Sequence, residues 1–299
     1  MKIFLTGAGG FIGGSVALRL CAQGHHILGL VRNEVAAKRL ADSGIEPIMG
    51  TLDDADLLIQ QAKSSDAVIN TANADHLGSV KALMEGLRGT GKSLLHTSGS
   101  SVVGDDARGD FCSPHVVDEQ TPWVINPFKQ ARRDIDLLVL SGVNDGINTS
   151  VICPSLIYGV GTGLNPHSVQ IPFLASNAQE KGAVEIVGKG LNVWSNVHIE
   201  DVASLYQLVL ENGRGGGFYF VENGEASYLE LATALSQRLA LPGIVHLEAE
   251  KAAERWGVAR AYFSFGSNSR VRAHRAREEL GWAPRHSSVS NWIANEAQF

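Results

Sequence analysis

The sequence predicts an α/β fold, a doubly wound parallel sheet with a smaller second lobe, and three observations carry that reading. A glycine-rich turn, T-G-A-G-G-F-I-G at residues 6–13, follows a short apolar run at the start of the chain. Short apolar strands then alternate with amphipathic helices through the first half. Each alternation has the length of a β-α-β unit, which implies parallel pairing with helices on both faces. In such sheets ligands bind in the crevice at the carboxyl ends of the strands.

The elements follow in order. KIFL (2–5) reads as a buried strand, and Phe11–Gln23 as a helix closed by Gly24. HILGLV (26–31) is a second strand, Ala36–Asp42 a helix, and EPIMG (46–50) a third strand. Residues 54–66 form an amphipathic helix, AVINTA (67–72) a strand, residues 79–91 a helix, and KSLLHTS (92–98) a fifth strand. Further on, DIDLLVL (134–140) reads as a helix, TSVICPSLIYG (149–159) as one strand, and EDVASLYQLVLEN (200–212) as a helix. Ser227-Tyr-Leu-Glu230 has the spacing of a capping box and opens a helix running to Ala240. The expected division is 1–165 with 198–221 for the nucleotide-binding part, and 166–197 with 222–299 for the smaller lobe.

Composition narrows the partners. The 299 residues are 44% hydrophobic and 19% charged, an ordinary globular composition that supports a large core. A net charge of −6 gives no support to a nucleic-acid or anionic-membrane partner. No apolar run reaches the roughly 20 residues needed to span a bilayer, and the glycines interrupt any signal-peptide core. Cys21, Cys112 and Cys153 are odd in number and contain no C-x-x-C pair. That pattern suits a reducing cytoplasm and argues against a disulfide framework or a metal site, as do histidines without ligand spacing.

The glycine turn carries the clearest chemistry. Gly7, Gly10 and Gly13 stand between a predicted strand and a predicted helix. A missing Cβ there lets the chain turn tightly and lets a pyrophosphate approach the backbone. The helix N-terminus presents unpaired N–H groups and partial positive charge to the phosphates. At the end of the second strand stands Arg32, where sites selective for NAD usually carry an acidic residue. A guanidinium suits a 2′-phosphate, so NADP is favoured and NAD is the less favoured cofactor.

These pieces resemble the short-chain dehydrogenase/reductase superfamily, in its extended or atypical branch of epimerase- and dehydratase-like proteins. The matching segments are TGAGGFIG at 6–13, LVR at 30–32, GTLDD at 50–54, TSGSSVVGD at 97–105, CPSLIYGVG at 153–161, NVHIEDVA at 196–203 and ELGWAP at 279–284. The resemblance implies a Rossmann-type fold and a dinucleotide touching Thr6, Gly7, Gly10, Phe11, Ile12, Gly13, Arg32, Leu52, Thr71, Ala72, Arg132 and Pro154. Where the family carries the aspartate bordering the adenine, this chain has Thr51, so that contact falls to Leu52 or Asp53. Family members often pair as homodimers through two helices of the sheet.

The chemistry is where the chain departs from that pattern. The family uses a Tyr-x-x-x-Lys pair and an upstream Ser or Thr, the tyrosine exchanging the proton. Here the corresponding stretch is Pro127-Phe128-Lys129-Gln130-Ala131-Arg132, so Phe128 replaces the tyrosine and Arg132 the lysine. Counting back from Gly104, the hydroxyl position falls on Gly99, with Ser98 and Ser100 on either side as candidates. TSGSS is not a hydrolase elbow, because Val103 stands where a second glycine is needed. Asp75 resembles the aspartate that some atypical members carry near the active-site asparagine, its alternative role being a helix N-cap. On the substrate side the resemblance implicates Tyr158, Asn165, His167, Trp194 and Asn196. Asp201 is expected to cap its helix and His198 to be packed. Arg270 and Arg272 either meet a diphosphate or form a solvated basic face. Two readings follow: an NADP-dependent oxidoreductase or epimerase-like enzyme acting on a small-molecule carbonyl or hydroxyl substrate with a non-standard acid, or a non-catalytic NADP-binding sensor or regulatory protein.

Overall fold

The computed structural model describes residues 1–299. Its first half is a regular alternation: β1 (Lys2–Thr6), α1 (Phe11–Ala22), β2 (His26–Val31), α2 (Glu34–Asp42), β3 (Glu46–Met49), α3 (Ala55–Ser64), β4 (Ala67–Asn70), α4 (Leu77–Leu87), β5 (Ser93–Thr97), α5 (Gln130–Ser141) and β6 (Asn148–Pro154). Then come β7 (Leu156–Tyr158), α6 (Gln170–Lys181), β8 (Val184–Val187), β9 (Val193–His198), α7 (Ile199–Asn212) and β10 (Gly217–Val221). Seven strands join in the order β10-β6-β5-β4-β1-β2-β3, every neighbouring pair parallel. The strand order reverses between β1 and β4, which places the ligand crevice above the ends of those two strands.

The predicted strand 149–159 is two strands. It breaks after Pro154, where the Ser155 hydroxyl donates to the carbonyl of Val221, and Leu156–Tyr158 pairs instead with β9. A proline has no N–H for a ladder, so the chain changes sheets there at small cost. The three-stranded sheet β11-β9-β7, with β11 at Glu225–Ser227, and the two-stranded sheet of β8 and β12 (Ile244–Leu247) have no counterpart in the sequence expectation. The capping box does form: Ser227 Oγ accepts from the Glu230 amide, and Glu230 Oε2 accepts from the Ser227 amide.

Two apolar cores result. The larger lies around the parallel sheet and draws in Val271, Ala273, Ala276 and Trp282 from late in the chain. The smaller contains Leu156, Tyr158, Leu174, Ile186, Trp194 and Phe265. No helix is long and apolar enough to cross a membrane.

Candidate active site

The glycine turn lies at the switch point. Gly7 has φ +81° and abuts the start of the loop after β4; a Cβ there would sit 2.8 Å from both the Ala72 amide nitrogen and Thr71 Oγ1. At Gly13 a Cβ would fall inside the Gly7 carbonyl and the Thr71 hydroxyl. Thr71 is held in that place by donating to the Thr6 carbonyl at 2.7 Å. The amides of Phe11, Ile12 and Gly13 have no backbone acceptor and open α1 toward the crevice. A cleft of about 670 Å³ runs from Gly7, Gly9 and Gly10 past Arg32 and Leu52 to Ala72 and His76. A Cβ added at Gly9 would meet nothing within 4 Å. Free amides, a side-chain-free floor and this volume fit a dinucleotide.

Around that cleft the residues divide by role. Arg32 is exposed and forms no ion pair, while its neighbour Asn33 caps α2 by accepting from the Ala36 amide. Asp53 is bound at 3.2 Å by His76. Thr6 spends its hydroxyl on Asn70 at 2.6 Å, so only its backbone faces the turn. Pro154 is buried at the end of β6.

At the catalytic end, the side chain of Asp75 is joined to Arg132. Arg132 Nε donates to Asp75 Oδ1 at 2.7 Å and Nη2 to Oδ2 at 2.5 Å. This hydrogen-bonded guanidinium holds the Asp75 carboxyl below the ordinary carboxylate range. Asp75 does not cap α4; His76 does, through Nδ1 accepting from the Ser79 amide. Arg132 Nη1 makes no hydrogen bond and lies 3.3 Å from where a Cβ on Gly99 would stand. Below the pair, His96 Nδ1 meets Asn70 Nδ2 at 3.0 Å and its Nε2 has no partner. Burial first, then the Arg132 charge, lowers the His96 imidazole to about 4.

Several residues expected at the reaction are engaged by other partners. Ser98 is buried and donates to Asp136 Oδ2 at 2.9 Å. Ser100, 1% exposed, is held by Ser269 Oγ at 2.8 Å. Phe128 is 77% exposed and turns to Phe263, ring centroids 4.8 Å apart. Tyr158 is in the smaller core, against His198 and Trp292. Trp194 donates its indole N–H to the Ser267 carbonyl at 2.7 Å, and Asn196 is buried on β9. All three were expected to face substrate; their burial removes them from solvent. Asn165 and His167 are exposed in a loop that docks on α1, where the Thr162 amide donates to Ser15 Oγ at 3.3 Å.

The late segments correct further expectations. His198, not Asp201, caps α7. Asp201 instead accepts from the amides of Arg285 and His286 at 2.9 and 3.0 Å, tying down the following chain. His198, Glu200 and His286 bring their ligand atoms within 4.8 Å, a grouping invisible in the spacing. Yet His198 Nδ1 already accepts from the Glu200 amide, and its ring stacks on His286 at 3.8 Å. Such parallel rings do not aim their lone pairs at one ion. Arg270 and Arg272 are both paired with Glu225, at 2.8 and 2.6 Å.

Asp136, missed by sequence reasoning, is fully buried with Oδ1 unpartnered, and burial pushes its carboxyl up to about 6. Only its spacing of four residues from Arg132 could have marked it, since that places both on one helix face.

Comparison with known proteins fits this arrangement. The model of the NAD dependent epimerase/dehydratase family matches residues 3–221. The chain is 33% identical to the oxidase ucsJ of an Acremonium species, over 95% of this chain and 92% of that one. It is 26% identical to the 4-hydroxy-2-methyl-3-oxo-4-farnesyl-3,4-dihydroquinoline-1-oxide ketoreductase of Stigmatella aurantiaca, over 95% and 92%. The structure of dTDP-glucose 4,6-dehydratase from Bacillus anthracis, solved with NAD, superposes with a TM-score of 0.78 at 20% identity, covering 98% of this chain and 94% of that one. The family and these named relatives are enzymes, which removes support from a non-catalytic sensor. With its glycine turn at a strand-order switch and an open cleft above it, the chain belongs to the NAD dependent epimerase/dehydratase family and is an oxidoreductase- or epimerase-type enzyme using a nicotinamide dinucleotide.

Proposed function

We propose that this protein is an NADP-dependent reductase of a small carbonyl compound, with Arg132 acting where the family places a tyrosine and a serine. The observation that carries this reading is the free Nη1 of Arg132, 3.3 Å from the Cβ position of Gly99 while Nε and Nη2 hold Asp75. The family's hydroxyl donor is absent from Gly99, and a fixed cationic donor stands beside the gap.

A nicotinamide dinucleotide held on the glycine turn would supply the hydride. Arg132 Nη1 donates to the substrate carbonyl oxygen and stabilises the negative charge that develops there. A preorganised donor of this kind is typically worth about 10²–10³-fold in rate. Asp75 fixes the plane of the guanidinium, and Gly99 leaves it room. Arginine stays protonated, so it offers charge and no proton; water completes the alcohol. The ketoreductase name of one relative supports a carbonyl substrate.

Arg32 supports NADP, being an exposed guanidinium without a carboxylate partner on the rim of the cleft. The test is fluorescence titration with NADPH and NADH on the parent and on Arg32→Asp. NADPH should bind more tightly to the parent, and the variant should lose about 10–100-fold for NADPH, the range of a charged hydrogen bond, while keeping NADH. Equal affinities in both proteins would sink the NADP assignment. A carbonyl panel then tests reduction: its rate should lack the titration of a tyrosine acid.

A further inference from the structure

We propose that the carbonyl substrate is an apolar, ring-bearing compound seated on the Phe128–Phe263 pair, and not a sugar nucleotide. This inference rests on the reductase reading and names its substrate class.

Phe128 lies in the 3-10 turn Pro127–Lys129 that leads into α5, four residues before Arg132. It is 77% exposed, yet its ring meets Phe263 at 4.8 Å. Phe263 belongs to a π-helical turn, Ala261–Phe265, whose neighbours Ala261 and Phe265 anchor it in the smaller core. Single π-turns inside helical segments mark functional sites more often than chance. The pair therefore joins the turn before α5 to the smaller lobe, and Lys129, whose Nζ lies over the Phe263 ring, also feels the charges of Arg132 and Asp75. An aromatic face left open there gains its burial energy only when a ligand covers it.

Charge on this side of the molecule points the same way. A sugar nucleotide brings a diphosphate, which needs uncommitted cations. Arg270 and Arg272 are held by Glu225, Arg108 by Asp106 and Glu250, and Arg132 by Asp75. Lys129 alone among these basic groups has no carboxylate partner, and its Nζ lies 5.9 Å over the Phe263 ring. Four of these five basic groups are held by carboxylates and the fifth lies over an aromatic ring, which suits a ligand carrying a flat hydrocarbon face better than a diphosphate.

The test measures equilibrium binding to the NADPH-loaded protein by calorimetry. The probes are 2-acetylnaphthalene, acetophenone and acetone as a graded ketone series, with UDP-glucose and dTDP-glucose as competitors. Affinity should rise through the ketone series with ring area. Phe128→Ala should weaken 2-acetylnaphthalene about tenfold, in line with loss of one aromatic contact, leaving NADPH affinity unchanged. Phe128 is exposed, so this variant folds; Phe263→Ala supplies the second arm. The inference is overturned by tighter binding of either sugar nucleotide, by a ketone series that does not bind, or by an unchanged Phe128→Ala affinity. Ketones that bind as expected but are not reduced would overturn the reductase reading and leave the ligand class standing.

Discussion

The guanidinium of Arg132 and the carboxylate of Asp75 form a two-armed ion pair at 2.7 and 2.5 Å across 57 residues of sequence. The pair joins α5 to the loop before α4 and leaves one arm of Arg132 free. Arg132→Met should lower the reduction rate by about 10²–10³-fold. Asp75→Asn keeps the cation but frees it to rotate, so it should cost less. The Asp75 carboxylate is 56% exposed and stays hydrated in Arg132→Met, so that variant should lose under about 1 kcal/mol of stability. Steady-state rates and melting temperatures on the same samples check this; a full rate in Arg132→Met ends the role given to Nη1.

The glycine turn predicts a contrast between neighbours. Gly13→Ala drives a methyl into the Gly7 carbonyl and Thr71, whereas Gly9→Ala meets nothing within 4 Å. Gly13→Ala should destabilise the fold by about 1–3 kcal/mol, the usual cost of overpacking, and abolish nucleotide binding. Gly9→Ala should fold normally. Urea melts with NADPH titration decide it, and equal behaviour of the two variants would refute the close packing.

Asp136 predicts a gain. Its carboxyl is raised from 3.8 to about 6 by burial, with Oδ1 unpartnered. The folded state then binds this proton more tightly than the unfolded state, so the group costs stability as pH rises from 3.8 through about 6. Asp136→Asn keeps an acceptor for Ser98 and removes that cost. It should stabilise the protein at neutral pH by about 1–3 kcal/mol, with the benefit gone in acid. Denaturant midpoints against pH would show the difference; a variant less stable at neutral pH would contradict it.

His96 and His198 act in the opposite sense. Both imidazoles are lowered from 6.5 to about 4, chiefly by burial. The unfolded chain therefore takes up their protons first, and stability from these groups falls as pH drops from 6.5 through about 4. Asp136 partly offsets this loss over the shared window. His96→Gln should make the acid limb shallower by about one proton. An unchanged limb would mean that His96 is charged in the folded protein.

Much of the fold is legible in the sequence because it is local. The nine segments from Lys2 to Thr97 alternate as their periodicity demands, and the Ser227–Glu230 capping box needs only four residues to specify itself. The break at Ser155 was not legible, since an apolar run does not say which sheet it joins. Trp194, Tyr158 and Asn196 look like substrate groups in sequence because polarity and aromaticity alone do not report burial. Ser98 and Ser100 are spent on Asp136 and Ser269, partners 38 and 169 residues away.

The sequence by itself determined the glycine turn and the parallel order of strand and helix. These depend on residue type and short spacing, which backbone geometry converts directly into structure. Only the tertiary structure decided that Asp75 holds Arg132, that Gly99 leaves its free arm open, and that Phe128 faces Phe263. Those relationships join side chains distant in sequence, and close packing alone brings them within reach of one another.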